Sequence, residues 1–162
     1  GYTFTTGGFA DSDRSTIEYN LCFDKYGEIL VDRHELIHIV LNVGIGHARS
    51  RLIAEGYAVA IDDYFGESYG GRSIKEAIRT LPYRNIETLL SDNGSIEEAT
   101  FYPLAGSFIK WIINRFGMEK AIEYYRTACT EDFSFRDVER FLGIEAERIE
   151  REYKEYFEKE KA

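Results

Sequence analysis

Cysteines and basic runs are scarce in this chain of 162 residues, and both scarcities restrict what it can be. The two cysteines, Cys22 and Cys129, allow one disulfide at most, and two buried free thiols are at least as well supported, so the redox compartment stays open. No apolar stretch reaches the roughly 20 residues that a membrane-spanning helix needs. No cluster of lysine or arginine occurs, and the net charge of −9 disfavours nucleic acid and anionic membranes as partners.

The remaining composition is that of an ordinary globular domain. Apolar residues make up 44% of the chain, which suits a single domain over residues 1–162 with a core of its own. No signal peptide is present, and the chain opens at Gly1 without methionine. We interpret it as a processed segment whose targeting signal has been removed. We therefore expect a secreted or cell-envelope location rather than a cytoplasmic one.

Strand-like patterns are confined to residues 1–27, and helical spacing dominates after them. Residues 2–6 are rich in β-forming side chains, and residues 15–23 alternate between apolar and polar. Helices are predicted over residues 28–43, 47–63, 73–80, 100–116, 118–129, 134–141 and 145–160. The sequence therefore predicts an α+β fold, in which a small N-terminal antiparallel sheet precedes a mainly helical domain.

The stretch His34-Glu35-Leu36-Ile37-His38 carries the clearest chemical signal. On a helix, residues four apart share a face, so His34 and His38 can reach one metal ion. Glu35 lies about 100° further around the helix, where its carboxylate can act on a water without binding the metal. Two imidazoles with an adjacent carboxylate suit a hydrolytic Zn²⁺ site. The alternative is a pair of histidines on an ordinary amphipathic helix, with Glu35 as a solvated charge.

A catalytic zinc site needs a third protein ligand, and the residues favour Glu55 over His47. Gly44 and Gly46 end the first helix, so the next helix is expected to return along it. At about 1.5 Å per residue, the distance back from Gly46 to Glu55 matches the distance from His38 to the turn. His47 would lie at the far end of this hairpin. It is the remaining histidine and stays the second candidate.

Together these residues resemble the gluzincin metallopeptidases, zincins whose third ligand is a Glu on the helix after the H-E-x-x-H motif. The matching stretches are His34 to His38 and the E-G-x-A pattern in residues 54–58. Weaker likeness continues in residues 102–109, 115–117 and 141–156, and the resemblance covers roughly residues 7–157. It implies a zincin-like catalytic domain with its zinc-site helices in residues 28–63 and a helical C-terminal portion in 64–162.

The resemblance implies a Zn²⁺-dependent peptidase acting on a peptide or protein substrate. His34, His38 and Glu55 are the expected ligands, and Glu35 is the expected general base. Tyr102 is the expected donor to the oxyanion, because several gluzincins supply a Tyr from the corresponding helix. The alternative for Tyr102 is packing, since twelve tyrosines occur in the chain. Residues 7–10 are either an edge strand that binds substrate or a plain turn.

Thermolysin-like enzymes carry an Asp four residues after the ligand Glu, and here that position is Val59. The residue that orients the histidines would then be Asp62, Asp63 or a backbone carbonyl. The competing function is a non-catalytic or latent zincin-like binding module, or one part of a larger protein.

Overall fold

The computed structural model describes residues 8–11, 16–19, 33–63, 72–129 and 133–162. Two short strands are described, β1 (Gly8–Asp11) and β2 (Thr16–Tyr19). Eight helices occur in the described ranges: α1 (Arg33–Gly44), α2 (Arg51–Asp62), α3 (Ile74–Ile78), α4 (Ile86–Leu90), α5 (Glu98–Phe116), α6 (Met118–Thr127), α7 (Phe135–Leu142) and α8 (Ala146–Lys161). None of these helices is long and apolar enough to cross a membrane.

The predicted α+β class, with an N-terminal antiparallel sheet as one of its parts, is wrong. The described residues are mostly helical, and the strands amount to one antiparallel hairpin in which Gly8 pairs with Tyr19 and Asp11 with Thr16. Two four-residue strands cannot form a layer that buries a core, and no third strand is described. The predicted strand over residues 2–6 lies outside the described residues. The fold is therefore built by helices packing on helices.

The core is organised around α5, the longest described helix. Its residues are buried on nearly every side through the middle of the helix, as expected of a helix surrounded by others. Its largest interface is with α2, and α3, α6 and α8 also pack against it. The rings of Trp111, Phe108 and Tyr153 pack against one another at the α5–α8 contact, with centroids 5.3–5.9 Å apart. The helix that carries Tyr102 is thus packed against most of its neighbours in the described part of the chain.

Two glycines allow α2 and α5 to approach closely. A Cβ at Gly56 would lie 3.0 Å from the carbonyl oxygen of Ala105 and 2.8 Å from Cγ1 of Ile109. A Cβ at Gly106 would lie 2.5 Å from Cγ1 of Val59. Neither position has room for a side chain without a shift of the opposite helix. The Gly after Glu55 in the E-G-x-A pattern therefore serves helix packing.

One described helix, α4, was not predicted, and another begins later than expected. The predicted helices leave residues 81–99 without one, yet α4 forms within them. Asn85 caps α4 by accepting a hydrogen bond from the Thr88 amide at 2.7 Å, and Glu150 of α8 accepts one from the Ile86 amide at 2.6 Å. The second partner is 64 residues away in the chain, so its contribution could not be read locally. Helix α2 begins at Arg51 rather than at residue 47.

Candidate metal centre

The side chains of His34, His38 and Glu55 converge between α1 and α2. Nε2 of His34 lies 3.1 Å from Nε2 of His38 and 3.1 Å from Oε2 of Glu55. Nε2 of His38 lies 3.4 Å from the same carboxylate oxygen. All three side chains are partly buried, with 14–21% of their surface exposed. The structure thus brings together the three residues predicted to bind zinc.

This triangle has the dimensions of a tetrahedral zinc site. Ligand atoms about 2.05 Å from a tetrahedral zinc lie about 3.4 Å from one another. The three observed separations, 3.1, 3.1 and 3.4 Å, are within a few tenths of an ångström of that value. Both imidazoles present the same nitrogen, Nε2, to the centre, so that with a metal bound there Nδ1 would carry the proton of each neutral ring. The donor set of two imidazoles and one carboxylate therefore fits Zn²⁺ in both chemistry and spacing.

The charge of Glu55 also suits a metal ligand. Burial raises the pKa of this carboxyl group, but hydrogen bonds and charge interactions with His34 and His38 outweigh burial and lower the pKa to about 2. Glu55 is therefore a carboxylate at neutral pH. An ionised carboxylate and two neutral imidazoles leave one net positive charge on a bound divalent ion, which is an electrophilic centre.

The α1–α2 hairpin determines how the ligands meet. Histidines four residues apart place two rings on one face of α1, at a centroid distance of 4.7 Å. The amides of Ile45 and Gly46 both donate to the Leu41 carbonyl at the end of α1, and Gly46 has a φ of 137°, which favours glycine. The chain then turns back, and α2 lies against α1. Glu55 reaches the histidines because it is in the second turn of that returning helix.

The two predicted catalytic residues lie beside the ligands. Glu35 follows His34 directly on α1 and is half-buried. Tyr102 of α5 stacks on His34, with ring centroids 5.8 Å apart and an angle of 19° between the ring planes. The stacking places Tyr102 in the wall of the centre. Its role as an oxyanion donor stays a prediction, as does the role of Glu35 as a base.

Arg51 and Asp92 form a buried ion pair next to the centre, which the sequence did not lead us to predict. Nη1 of Arg51 donates to Oδ2 of Asp92 at 2.7 Å and to the Ile96 carbonyl at 3.1 Å. The guanidinium carbon lies 4.2 Å from the Phe101 ring centroid and 5.7 Å from that of Tyr102. Arg51 is one helical turn before Glu55, which is the one local signal that places it near the ligands.

The loop that contains Asp92 borders an open cavity of about 680 Å³. Arg51 lines this cavity together with Asn93, Glu97 and Glu98. Because Arg51 is one helical turn before Glu55, one wall of the cavity is one turn of α2 away from that ligand. Burial raises the pKa of Asp92, but hydrogen bonds from Ser95, Arg51 and two backbone amides outweigh burial and lower it to about 2. The carboxylate therefore keeps its charge and holds the loop in place at neutral pH.

The other candidate residues named from the sequence are not members of the ligand triangle. His47 is exposed in the segment between α1 and α2 and is not a member of the cluster. Val59 is buried and contacts α5, so the position that carries Asp in thermolysin-like enzymes belongs to the core here. Asp62 forms an ion pair with Arg33 at 2.8 Å, and Asp63 forms one with Lys110 at 2.7 Å.

The described cysteine, Cys129, is a free thiol near the α1–α2 turn. Its Sγ donates to the Tyr125 carbonyl at 3.4 Å, and it would lie 3.5 Å from a Cβ at Gly46. Burial raises the pKa of this thiol above its usual value. Cys129 therefore packs under the turn as a protonated thiol, whereas Cys22 lies outside the described residues.

Comparison with known proteins adds no assignment to this geometry. No family model matches the chain, and neither a curated protein nor a solved structure matches it. The resemblance to gluzincins therefore depends on the motif residues and on how the helices place them.

Proposed function

We propose that this chain is a zinc-dependent peptidase of the gluzincin type, with His34, His38 and Glu55 as the metal ligands. The observation that carries the proposal is the convergence of these three side chains within a triangle of zinc-site dimensions. Two of them come from one helix and the third from another, 17 positions beyond His38 in the sequence. If the two histidines were an ordinary surface pair, there would be no reason for a partly buried carboxylate to contact both rings.

The number of ligands favours a catalytic over a structural metal. Structural zinc sites are closed by four protein ligands, commonly cysteines, whereas catalytic sites use three and leave one position for water or substrate. Among the residues that the structure describes, the cluster has three members and contains no cysteine. Glu35 adds a carboxylate that a structural site would not need. Both features support hydrolysis.

Each residue of the site would then have a separate role in hydrolysis. A zinc ion held by His34, His38 and Glu55 would supply a Lewis acid that makes water more acidic and polarises a carbonyl group. The Glu35 carboxylate accepts a proton from the attacking water and donates it to the nitrogen of the leaving amine. The Tyr102 hydroxyl donates a hydrogen bond to the developing oxyanion.

The decisive variant is Glu35→Gln, because it separates catalysis from metal binding. We expect about one zinc per chain in both wild type and variant, and cleavage of casein or a quenched peptide library by the wild type alone. Loss of a general base should reduce the cleavage rate by about 10² to 10⁴-fold. Glu158→Gln, on the exposed side of α8, is the matched control and should cleave normally.

Chelation supplies the second half of the experiment. Removing zinc should abolish cleavage, and adding zinc back should restore it. If Glu35→Gln loses its metal, Glu35 is a ligand and the assigned roles are wrong. A wild type that binds zinc but cleaves no peptide in the library would instead support the non-catalytic binding module.

A further inference from the structure

Two aspartates lie where the electrostatics of α2 disfavour them. Asp62 is the last residue of the helix and Asp63 follows it, so both carboxylates lie near the negative end of the helix dipole. Each is paired with a cation from a different helix. Asp62 contacts Arg33 of α1, and Asp63 contacts Lys110 of α5. The two pairs thus tie the same end of α2 to two different neighbours.

The Arg33–Asp62 pair is linked to the ligand triangle through the backbones of α1 and α2. Arg33 immediately precedes His34, and Asp62 lies seven residues, or two helical turns, after Glu55 on the same face of α2. Nε of Arg33 lies 2.8 Å from Oδ1 of Asp62, and the Asp62 side chain is only 5% exposed. This contact and the His38–Glu55 contact follow one antiparallel register between the helices.

We propose that Arg33 and Asp62 form a positioning clamp for the metal centre; this inference rests on the proposed function. The ligands come from two helices, so a small slide of α1 along α2 changes both histidine–glutamate separations at once. The turn after Leu41 restrains one end of the hairpin, and the clamp restrains the end at which His34 lies. Asp62 thus acts through the backbone of α1 rather than by touching the metal.

The test measures metal affinity in variants of the clamp and of its neighbour. Asp62→Asn and Arg33→Gln should each weaken Co²⁺ or Zn²⁺ binding by up to about fivefold, the effect expected of losing one partly exposed ion pair. Arg33→Lys, which keeps a cation, should recover most of the affinity. Asp63→Asn is the matched control, because Asn tolerates the left-handed conformation at that position (φ 50°) and the Lys110 pair does not involve α1.

A double-mutant cycle separates the clamp from the other contacts of Asp62. If the two residues act through each other, Arg33→Gln combined with Asp62→Asn should lose no more affinity than either change alone. The visible absorption of bound Co²⁺ should also shift in the clamp variants and stay unchanged in Asp63→Asn, because it reports the coordination geometry. Arg33 is 64% exposed, so its variant should fold even where Asp62→Asn does not.

Each outcome decides between the two proposals. Additive losses in the cycle, unchanged affinity in Arg33→Gln, or an equal loss in Asp63→Asn would overturn the clamp while leaving the zinc site in place. A wild-type chain that binds neither metal would overturn the proposed function, and the clamp with it.

Discussion

Replacing Gly56 by alanine tests whether the close α2–α5 contact leaves no room for a side chain at this position. The new Cβ would lie 2.8 Å from Cγ1 of Ile109 and 3.0 Å from the carbonyl oxygen of Ala105. Cγ1 of Ile109 belongs to a side chain that can adjust, but the Ala105 oxygen belongs to the backbone of a buried helix. The substitution should therefore push α2 away from α5 by a few tenths of an ångström.

Two opposing effects set the expected magnitude. Alanine is more favourable than glycine within a helix by about 1 kcal/mol, which would stabilise the variant. Overpacking of a filled interface costs about 1–3 kcal/mol, and here the contact includes backbone atoms. The steric cost should exceed the gain in helix propensity, and we expect a net destabilisation of about 1 kcal/mol. In a chain of 162 residues that lowers Tm by about 2–4 °C.

Gly44→Ala is the matched control, because Gly44 is also helical but no described heavy atom lies within 4 Å of its Cβ position. It should be neutral or stabilising by up to about 1 kcal/mol. Urea denaturation of the three proteins, with zinc removed, measures both changes directly. A Gly56→Ala protein at least as stable as Gly44→Ala would refute the packing argument, because the gain in helix propensity that both variants share would then meet no steric cost at Gly56.

Two further predictions concern the centre and the loop beside it. Glu55→Ala should reduce zinc affinity strongly, whereas His47→Ala should leave it unchanged in equilibrium metal titrations; the opposite result would move the third ligand to His47. The contacts of Asp92 lower its pKa to about 2 from an ordinary value of about 3.9, so its ionised form stabilises the fold above pH 4, and this contribution is lost as the pH falls toward 2. The stability difference between wild type and Asp92→Asn should therefore shrink over that interval in urea titrations, and parallel pH curves would contradict the assignment.

The part of the site that was predictable depends on local geometry. The spacing of His34 and His38 places both rings on one face of any α-helix, whatever the rest of the chain does. Gly44 and Gly46 indicated a turn, and a returning helix then brings Glu55 level with the histidines. These steps involve 22 consecutive residues, from His34 to Glu55, and the periodicity of a single hairpin. Contacts with more distant parts of the chain did not enter this prediction.

The contribution of Arg51 and Asp92 could not be predicted in the same way. Their side chains meet across 41 positions of sequence, and Tyr102 reaches His34 from a third helix. Such contacts depend on how α5 packs on α2, and that packing depends on Gly56 and Gly106. A glycine within a helical sequence pattern does not indicate which other helix packs against it.

The error in fold class has a related cause. Alternating side chains describe a strand, but a sheet exists only where further strands pair with it, and pairing is decided between distant segments. Among the described residues only one hairpin of two strands forms. Helices, whose apolar residues recur with helical spacing, pack around α5 instead. The sequence by itself determined the helical hairpin and the meeting of His34, His38 and Glu55 on it, because both follow from the period of the α-helix. Only the tertiary structure decided which groups surround that cluster, because contacts between helices are set by complementary surfaces that no local pattern records.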